Sequence, residues 1–398
     1  MRNEKTKIIF LNQMAGPLFR ELAEDLARIW SPSLLYTGHP HTAHRRGNQS
    51  LTIKTGTEYD RSNNFTRIIS WLRYFWGALI TVYTQPTRSL LFIVSNPPFL
   101  GLIGLLFKLV RRQKYVILVY DIYPDILISL GRLKNGMLTK VWNFLNRIVL
   151  ENSNMVITIG RGMTNHLEKK FDVLKTDAKK IITIPCWSDI NFIKPLPKRE
   201  NGFARKYNLV NKITVIYSGN MGNTHDIETI LDVAKQLANE SNIHFLFIGE
   251  GPKWTLVKKT IQKYRLENIT LLPFQPEEVL PYSLSAGDIG VVSYQKGTEN
   301  YMIPSKIYYY MAAGLAILVI SETENDLTQI IREYCCGINA RTKDVENIKQ
   351  AILEISANKD LLERYKKAAR KTAERYYSRE NTKLYANAIF TYINSYNK

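Results

Sequence analysis

The chain has 398 residues, enough for two domains with ample cores. Its residues are 45% hydrophobic and 22% charged, which excludes a disordered chain. Lys and Arg number 54 against 35 Asp and Glu, a formal net charge of +19, and three cysteines (Cys186, Cys335, Cys336) exclude a disulfide framework and lack the paired spacing of a zinc site.

The opening MRNEKTKIIFLNQ is charged and then strand-like, with no secretory leader, so a reducing, cytoplasmic location is expected. KIIFLN (7–12) is the first predicted strand and PLFRELAEDLARIW (17–30) the first helix. The polar loop TGHPHTAHRRGNQ carries His39, His41 and His44 and reads as a basic loop rather than a metal site. Residues 71–83, WLRYFWGALITVY, mix aromatic side chains with Arg73. Further strands read SLLFIVS (89–95), YVILVYD (115–121), MVITIG (155–160) and KIITIP (180–185). The apolar run PFLGLIGLLFKLV (98–110) would be about 20 Å long as a helix, too short for about 30 Å of hydrocarbon. It reads as a buried helix, or as an interfacial anchor with its basic end at headgroups. KVWNFLNRIVLEN (140–152) is a further helix.

Pro and Gly concentrate at residues 194–202, a linker pattern. Strands then read ITVIYSG (213–219), IHFLFIG (243–249), NITLLPF (268–274), DIGVVSY (288–294) and LAILVIS (315–321), with helices DIETILDVAKQLA (226–238) and PSKIYYYMAAG (304–314) between them. Residues 359–396 read as two closing helices. Short, continuously apolar strands alternating with helices predict doubly wound parallel sheets covered on both faces. The expected domains are 1–190, 191–378, and a terminal segment 379–398 that crosses back to the first. The charge is one-sided: residues 1–200 hold 29 Lys and Arg against 14 Asp and Glu, or +15. Such a surface suits an anionic membrane or a nucleic acid.

In open α/β sheets ligands bind beyond the carboxyl ends of strands. YSGNMGNTH (217–225) follows one strand, with Gly219 and Gly222 allowing close backbone approach to a ligand. GEGP, with Gly249 and Gly251, follows the next. GTENYMIPSK (297–306) leads into a helix that Pro304 is expected to begin. The amides of Ser305 and Lys306, the Ser305 hydroxyl, the Lys306 ammonium and the helix dipole then assemble a diphosphate site. In the first half, Asp121 of DIYPD stands where a general base or hydroxyl-binding carboxylate is wanted, Asn96 follows another strand, and Gly16 sits in the first strand-to-helix loop. No HExxH, GxSxG or phosphate-cradling P-loop occurs.

Taken in order, YSGNMGNTHDIETIL, FLFIGEGPKW, LLPFQPEEVLPYSLSAGDIGVVSY and GTENYMIPSKIYYYMAAG, with SNPPF and VYDIYPDILISLG before them, resemble the bacterial family 4 glycosyltransferases that build O-antigen, colanic-acid and capsular polysaccharides. The resemblance implies the GT-B fold: two Rossmann-like domains facing a cleft, the first for the acceptor and the second for a nucleotide-sugar. It implies a retaining enzyme that needs neither a divalent metal nor a cofactor. The donor set carried over is Gly219, Asn220, Gly222, His225, Gly249, Gly251, Phe274, Ile303, Pro304, Ser305 and Lys306. Residues 274–278 and 249–251 border the base.

Three positions depart from the family pattern. Tyr301 and Tyr309 stand where two glutamates often do, so the sugar-contacting role moves to Glu299. Asn220 and His225 replace a basic pair, His225 being expected to donate a hydrogen bond and carry partial charge at neutral pH. Asp121 stands near a position that is often histidine. Gly16 and Asn96 fall to the acceptor. The implied partners are a UDP-linked sugar, an undecaprenyl diphosphate-linked or growing glycan acceptor, and the anionic inner face of the bacterial plasma membrane. A non-hydrolysing UDP-sugar epimerase would share the architecture but needs more carboxylates and histidines after the first-half strands. A basic nucleic-acid-binding protein would need a recognisable basic motif, and no nucleic-acid partner is expected.

Overall fold

The computed structural model describes residues 7–43, 47, 49–60, 63–171 and 181–395. His44, Lys180 and Tyr396, which fall in the loop, strand and helix named above, lie outside the described residues. The chain forms two compact units, one of Met1–Pro185 with Glu380–Lys398 and another of Cys186–Arg379.

In the first unit the strands are β1 (Ile8–Leu11), β2 (Ser33–Thr37), β3 (Leu51–Thr55), β4 (Leu90–Val94), β5 (Tyr115–Val119), β6 (Met155–Thr158) and β7 (Ile181–Thr183). They form a parallel sheet in the order β3-β2-β1-β4-β5-β6-β7. Every residue of β1, β4, β5 and β6 is buried, which is why these strands read as unbroken apolar runs. Phe10, Phe19 and Phe92 pack with ring centroids 5.5–6.1 Å apart and join the helix Pro17–Ile29 to the sheet. The closing helix Thr382–Ser395 belongs to this unit. Its Tyr385 packs 6.3 Å from Phe92, and Thr382 Oγ1 donates to Asp25 Oδ2 at 3.1 Å.

In the second unit β8 (Ile213–Ser218), β9 (Ile243–Ile248), β10 (Ile269–Leu272), β11 (Ile289–Ser293), β12 (Ala316–Ile320) and β13 (Gly337–Ala340) form a parallel sheet in the order β10-β9-β8-β11-β12-β13. Val215, Tyr217, Phe245, Phe247 and Leu318 of the sheet pack with Ile230, Leu231 and Ile352 of the helices. Asp288 anchors the start of β11. It is paired with the half-buried Lys198 and lies 3.6 Å from Lys366, and it accepts the Thr214 N–H at 2.8 Å.

The structure alters the sequence reading in three places. Residues 194–202 are packed into the second unit rather than strung out as a linker. Lys194 O accepts the Ser285 hydroxyl at 2.9 Å, and Lys198 Nζ donates to Lys212 O at 2.7 Å. The edge strands β3 and β13, and β2 next to β3, carry no signal in the list above. β3 is buried only at Leu51, and β13 is Gly-Ile-Asn-Ala, so neither presents a continuous apolar run. The aromatic run at 71–83 is part of a longer helix, Asn64–Tyr83, whose start is a capping box between Asn63 and Thr66.

Candidate functional site

Both sheets reverse direction beside their first strand, between β1 and β4 and between β8 and β11. The loops on either side of such a reversal frame the ligand crevice of an open α/β sheet. In the second unit they are residues 219–225 after β8 and 294–305 after β11.

The β8 loop is laced to the β9 loop. Tyr217 Oη donates to Asn220 O at 2.8 Å, Met221 N–H donates to Glu250 O at 2.7 Å, and Lys253 N–H donates to Met221 O at 3.1 Å. Gly219, Gly249 and Gly251 have φ of +131°, +140° and +135°, a region that disfavours any side chain. A Cβ on Gly249 would stand 2.0 Å from Gly219 O, and one on Gly251 would stand 2.6 Å from Asn220 Oδ1. These glycines let two loops approach each other. A Cβ on Gly222 would meet Asn220 Nδ2 at 2.8 Å, the far end of an exposed side chain.

Lys306 opens the helix Lys306–Ala312. Its Nζ is buried with no hydrogen-bond partner among the described residues, and it lies 3.4 Å from the centroid of the Tyr217 ring. Burial holds its pKa well below the ordinary lysine value. A Cβ on Gly219 would be 3.6 Å from Lys306 Cε, so the amine stands beside the β8 loop. Tyr310, one turn on, fixes this helix to β8 by accepting the Ser218 N–H at 2.7 Å. Gly290 makes room for the Tyr310 ring, which would be 2.6 Å from a Cβ there.

His225 is 7% exposed, and its Nδ1 lies 2.9 Å from Ser293 O. A carbonyl only accepts, so Nδ1 carries the proton and Nε2 is the free acceptor. Burial, reinforced by the Lys306 charge, brings its pKa down to about 3. His225 is therefore neutral at pH 7, which corrects the expected partial charge; the hydrogen bond it donates goes to Ser293.

Pro304 does not begin the helix. It lies two residues ahead of Lys306, with Ser305 between them at φ −63°, ψ −14° and its side chain capping nothing. Pro252 stands two residues ahead of the helix Trp254–Tyr264 in the same way. In both cases a turn precedes the first full helical bond. The Ser305 and Lys306 N–H groups have no acceptor among the described residues. Ser305 is exposed, Ile303 and Pro304 are buried, and Phe274 is exposed on the loop after β10. Glu299 is 3% exposed and its Oε1 accepts the Glu322 N–H at 3.3 Å. The structure thus gathers Gly219, Asn220, Gly222, His225, Gly249, Gly251 and Lys306 into one cluster and ties Glu299 to the loop after β12. Sequence reasoning missed Tyr217, Tyr310 and Lys253. Lys253 Nζ donates to His225 O and Glu228 Oε2, each at 2.6 Å. The placing of Tyr217 just before YSGN's glycine was the available signal.

In the first unit Ser95 joins the loops after β4 and β5: its Oγ donates to Asp121 O at 3.2 Å and accepts the Tyr120 N–H at 3.1 Å. The Asp121 carboxylate is half-buried and has no hydrogen-bond partner among the described residues. Desolvation raises its pKa to about 6. It lines a cavity of about 70 Å³ with Phe99, Tyr123 and Trp142. Asp125 is engaged by Lys170 and by His166 at 3.3 Å, which hold its pKa down against burial. Asn96 is half-buried in its loop. Gly16 has φ −67°, and a Cβ there would meet only His39 Nε2, at 3.9 Å. Among the described residues no cluster of three or more His, Cys, Asp or Glu could hold a metal ion.

Residues 200–372, which contain the whole second-unit cluster, match the family model of the glycosyl transferases group 1. This part of the chain is similar to that family. Over 267 residues the chain is 28% identical to the probable glycosyltransferase WbjE of Pseudomonas aeruginosa, covering 66% of this chain and 64% of that protein. Over 276 residues it is 27% identical to the putative colanic acid biosynthesis glycosyl transferase WcaI of Escherichia coli, covering 67% and 65%. The match therefore spans just under two thirds of these curated relatives. The crystal structure of Anabaena Alr3699/HepE in complex with UDP and glucose superposes with a TM-score of 0.74 over 97% of this chain and 100% of that one, at 13% identity. The fold is GT-B, as the strand order of both units also shows.

Proposed function

We propose that the chain transfers a sugar from a UDP-linked donor to a lipid-linked or growing surface-polysaccharide acceptor. The observation that carries this reading is the buried Lys306 amine beside the β8 loop, without a hydrogen-bond partner among the described residues and within the group 1 family region. A buried amine in this position is a site for an anion, whose charge favours the ammonium form. As the sugar–phosphate bond breaks, negative charge grows on the leaving diphosphate. Donors already aimed there stabilise that charge more than the ground state, and losing one typically costs about 3 kcal/mol.

In this reading Lys306, the free amides of Ser305 and Lys306, and the loop of Gly219, Asn220 and Gly222 hold the diphosphate. Neutral His225 offers Nε2 as an acceptor toward a donor hydroxyl. Gly249, Gly251 and Phe274 border the base, Ile303 and Pro304 shape the wall, and Glu299 contacts the sugar. Charge neutralisation by amides and an amine needs no divalent metal, and the transfer is retaining. The first unit takes the acceptor at Gly16 and Asn96, with Asp121 orienting or deprotonating its hydroxyl; a carboxyl titrating near 6 is matched to that task. The enzyme works peripherally on the cytoplasmic face of the membrane. The test is titration calorimetry with UDP, GDP and dTDP, followed by transfer assays with UDP-sugars on the wild type and Lys306→Ala. UDP binding that depends on Lys306 supports the reading, and near-wild-type turnover of Lys306→Ala refutes it.

A further inference from the structure

The helix Asn64–Tyr83 presents its apolar side outward. Phe65, Ile68, Leu72, Trp76, Ile80 and Tyr83 are each 51–74% exposed. Their spacing of three and four residues places them within an arc of about 120°. Ser70, Tyr74, Ala78, Thr81 and Val82, on the other side, are buried in the first unit. A surface helix in water ordinarily has the reverse arrangement. The stripe is about 27 Å long.

Two neighbouring helices extend it. Gly101–Arg111 exposes Leu106, Leu109 and Val110, and its Arg111 guanidinium lies 4.4 Å over the Tyr83 ring and donates to Tyr83 O at 3.0 Å. Met137–Asn152 exposes Met137, Leu138, Val141 and Phe144 and packs on Gly101–Arg111, where Val149 Cγ1 would be 2.5 Å from a Cβ on Gly101. The three helices lie on the β3–β4, β4–β5 and β5–β6 crossovers, which run in one direction across the sheet and so cover one face of it. The helices of this face carry a net positive charge. The first two helices contain no Asp or Glu; Arg73 is exposed, Lys108 and Arg111 are half-buried near the exposed ends, and Arg67 turns inward with its Nε buried. The third carries Lys140 and Arg147, and its Glu151 accepts from Arg147 Nε at 2.6 Å.

We propose that this three-helix face seats the first unit on an anionic lipid bilayer, with Asn64–Tyr83 lying along the headgroup boundary. Apolar side chains enter the acyl boundary while the basic ones meet anionic headgroups. No helix among the described residues is long and apolar enough to cross a membrane, so the contact is interfacial. A second copy of the chain would bring the same net positive charge to the interface, which favours an anionic lipid surface over self-association. The proposal deepens the functional reading by naming the surface on which a lipid-linked acceptor is met, and rests on that reading for this purpose only. Vesicle binding is measured without sugar transfer, so the two can fail separately.

The test is flotation of the full chain with phosphatidylcholine vesicles containing one third phosphatidylglycerol, and with phosphatidylcholine alone, at low and high salt. The wild type is expected to float with the anionic vesicles and to be released in part by salt. Leu72→Gln/Ile80→Gln, at two exposed positions, is expected to weaken binding at least about tenfold. Arg73→Gln/Lys140→Gln is expected to weaken it about tenfold on anionic vesicles only. UDP affinity and melting temperature should be unchanged in both variants. Wild-type chain that does not float at low salt, or a Leu72→Gln/Ile80→Gln variant that floats as well as the wild type, overturns the proposal. So does a dimer in sedimentation velocity that this variant splits, without vesicle binding, which would assign the face to a second copy.

Discussion

Lys306→Met separates a ligand-binding role for this amine from a structural one. Two effects oppose each other in the ligand-free protein. The amine over the Tyr217 ring gains about 2 kcal/mol as a desolvated cation–π pair. Removing an ammonium from water costs several kcal/mol even after relaxation. The lowered pKa shows that desolvation wins, because folding disfavours the charged form. Lys306→Met is therefore expected to stabilise the ligand-free protein by about 1–2 kcal/mol. Between the lowered folded pKa and the ordinary value of 10.5, the unfolded chain holds more protons, so wild-type stability rises with pH across that window. The variant loses that slope. UDP binding moves the other way: a hydrogen bond to a charged group contributes about 1.5–3 kcal/mol, so Kd for UDP should rise about 10–150-fold. A diphosphate favours the ammonium, so wild-type binding should also take up protons above the lowered pKa. Calorimetry in two buffers of different ionisation enthalpy measures both, with thermal melts from pH 6 to 10 alongside. An unchanged Kd together with a lower melting temperature would refute the reasoning and make Lys306 a structural residue.

Three further outcomes are expected. Asp121→Asn should remove the acid limb of the turnover profile, centred at about pH 6, and lower turnover 10²–10⁴-fold. Because the folded carboxyl holds its proton to higher pH, wild-type stability falls as pH rises from about 4 to 6, and the variant should be about 2 kcal/mol more stable at pH 7, read from urea melts. Gly249→Ala should destabilise by about 3 kcal/mol, given a Cβ 2.0 Å from Gly219 O at φ +140°, whereas Gly16→Ala should stay within about 1 kcal/mol, checked by thermal melts. Asp288→Ala leaves the half-buried Lys198 ammonium without its carboxylate, though still bonded to Lys212 O and Thr214 Oγ1, and should cost about 3 kcal/mol, seen as an early urea transition of the second unit.

Much of the fold was legible because fully covered parallel strands leave almost no polar residues in the run. LLFIV, YVILV, IGVVS and AILVI are each buried at every position. β3 was not legible, since an edge strand buries only Leu51 and alternates the rest into solvent. The outward stripe of Asn64–Tyr83 was equally hidden: the aromatic run was visible, but which side of the helix met the sheet was not. In the site, the glycines after β8 and β9 were found by their position after strands, and the structure adds a packing role that the sequence did not show. They admit one loop to the other, as the 2.0 Å clash at Gly249 shows.

The sequence by itself determined two doubly wound sheets, the strand ends that carry polar loops, and the one-sided charge, because strand periodicity, turn residues and net charge are local or additive. Only the tertiary structure decided that Lys306 Nζ is buried over the Tyr217 ring with no hydrogen-bond partner among the described residues, that His225 is neutral, and that burial pushes the Asp121 carboxyl up to about 6. Those properties are set by how much water distant segments exclude from each group, and no local pattern encodes that.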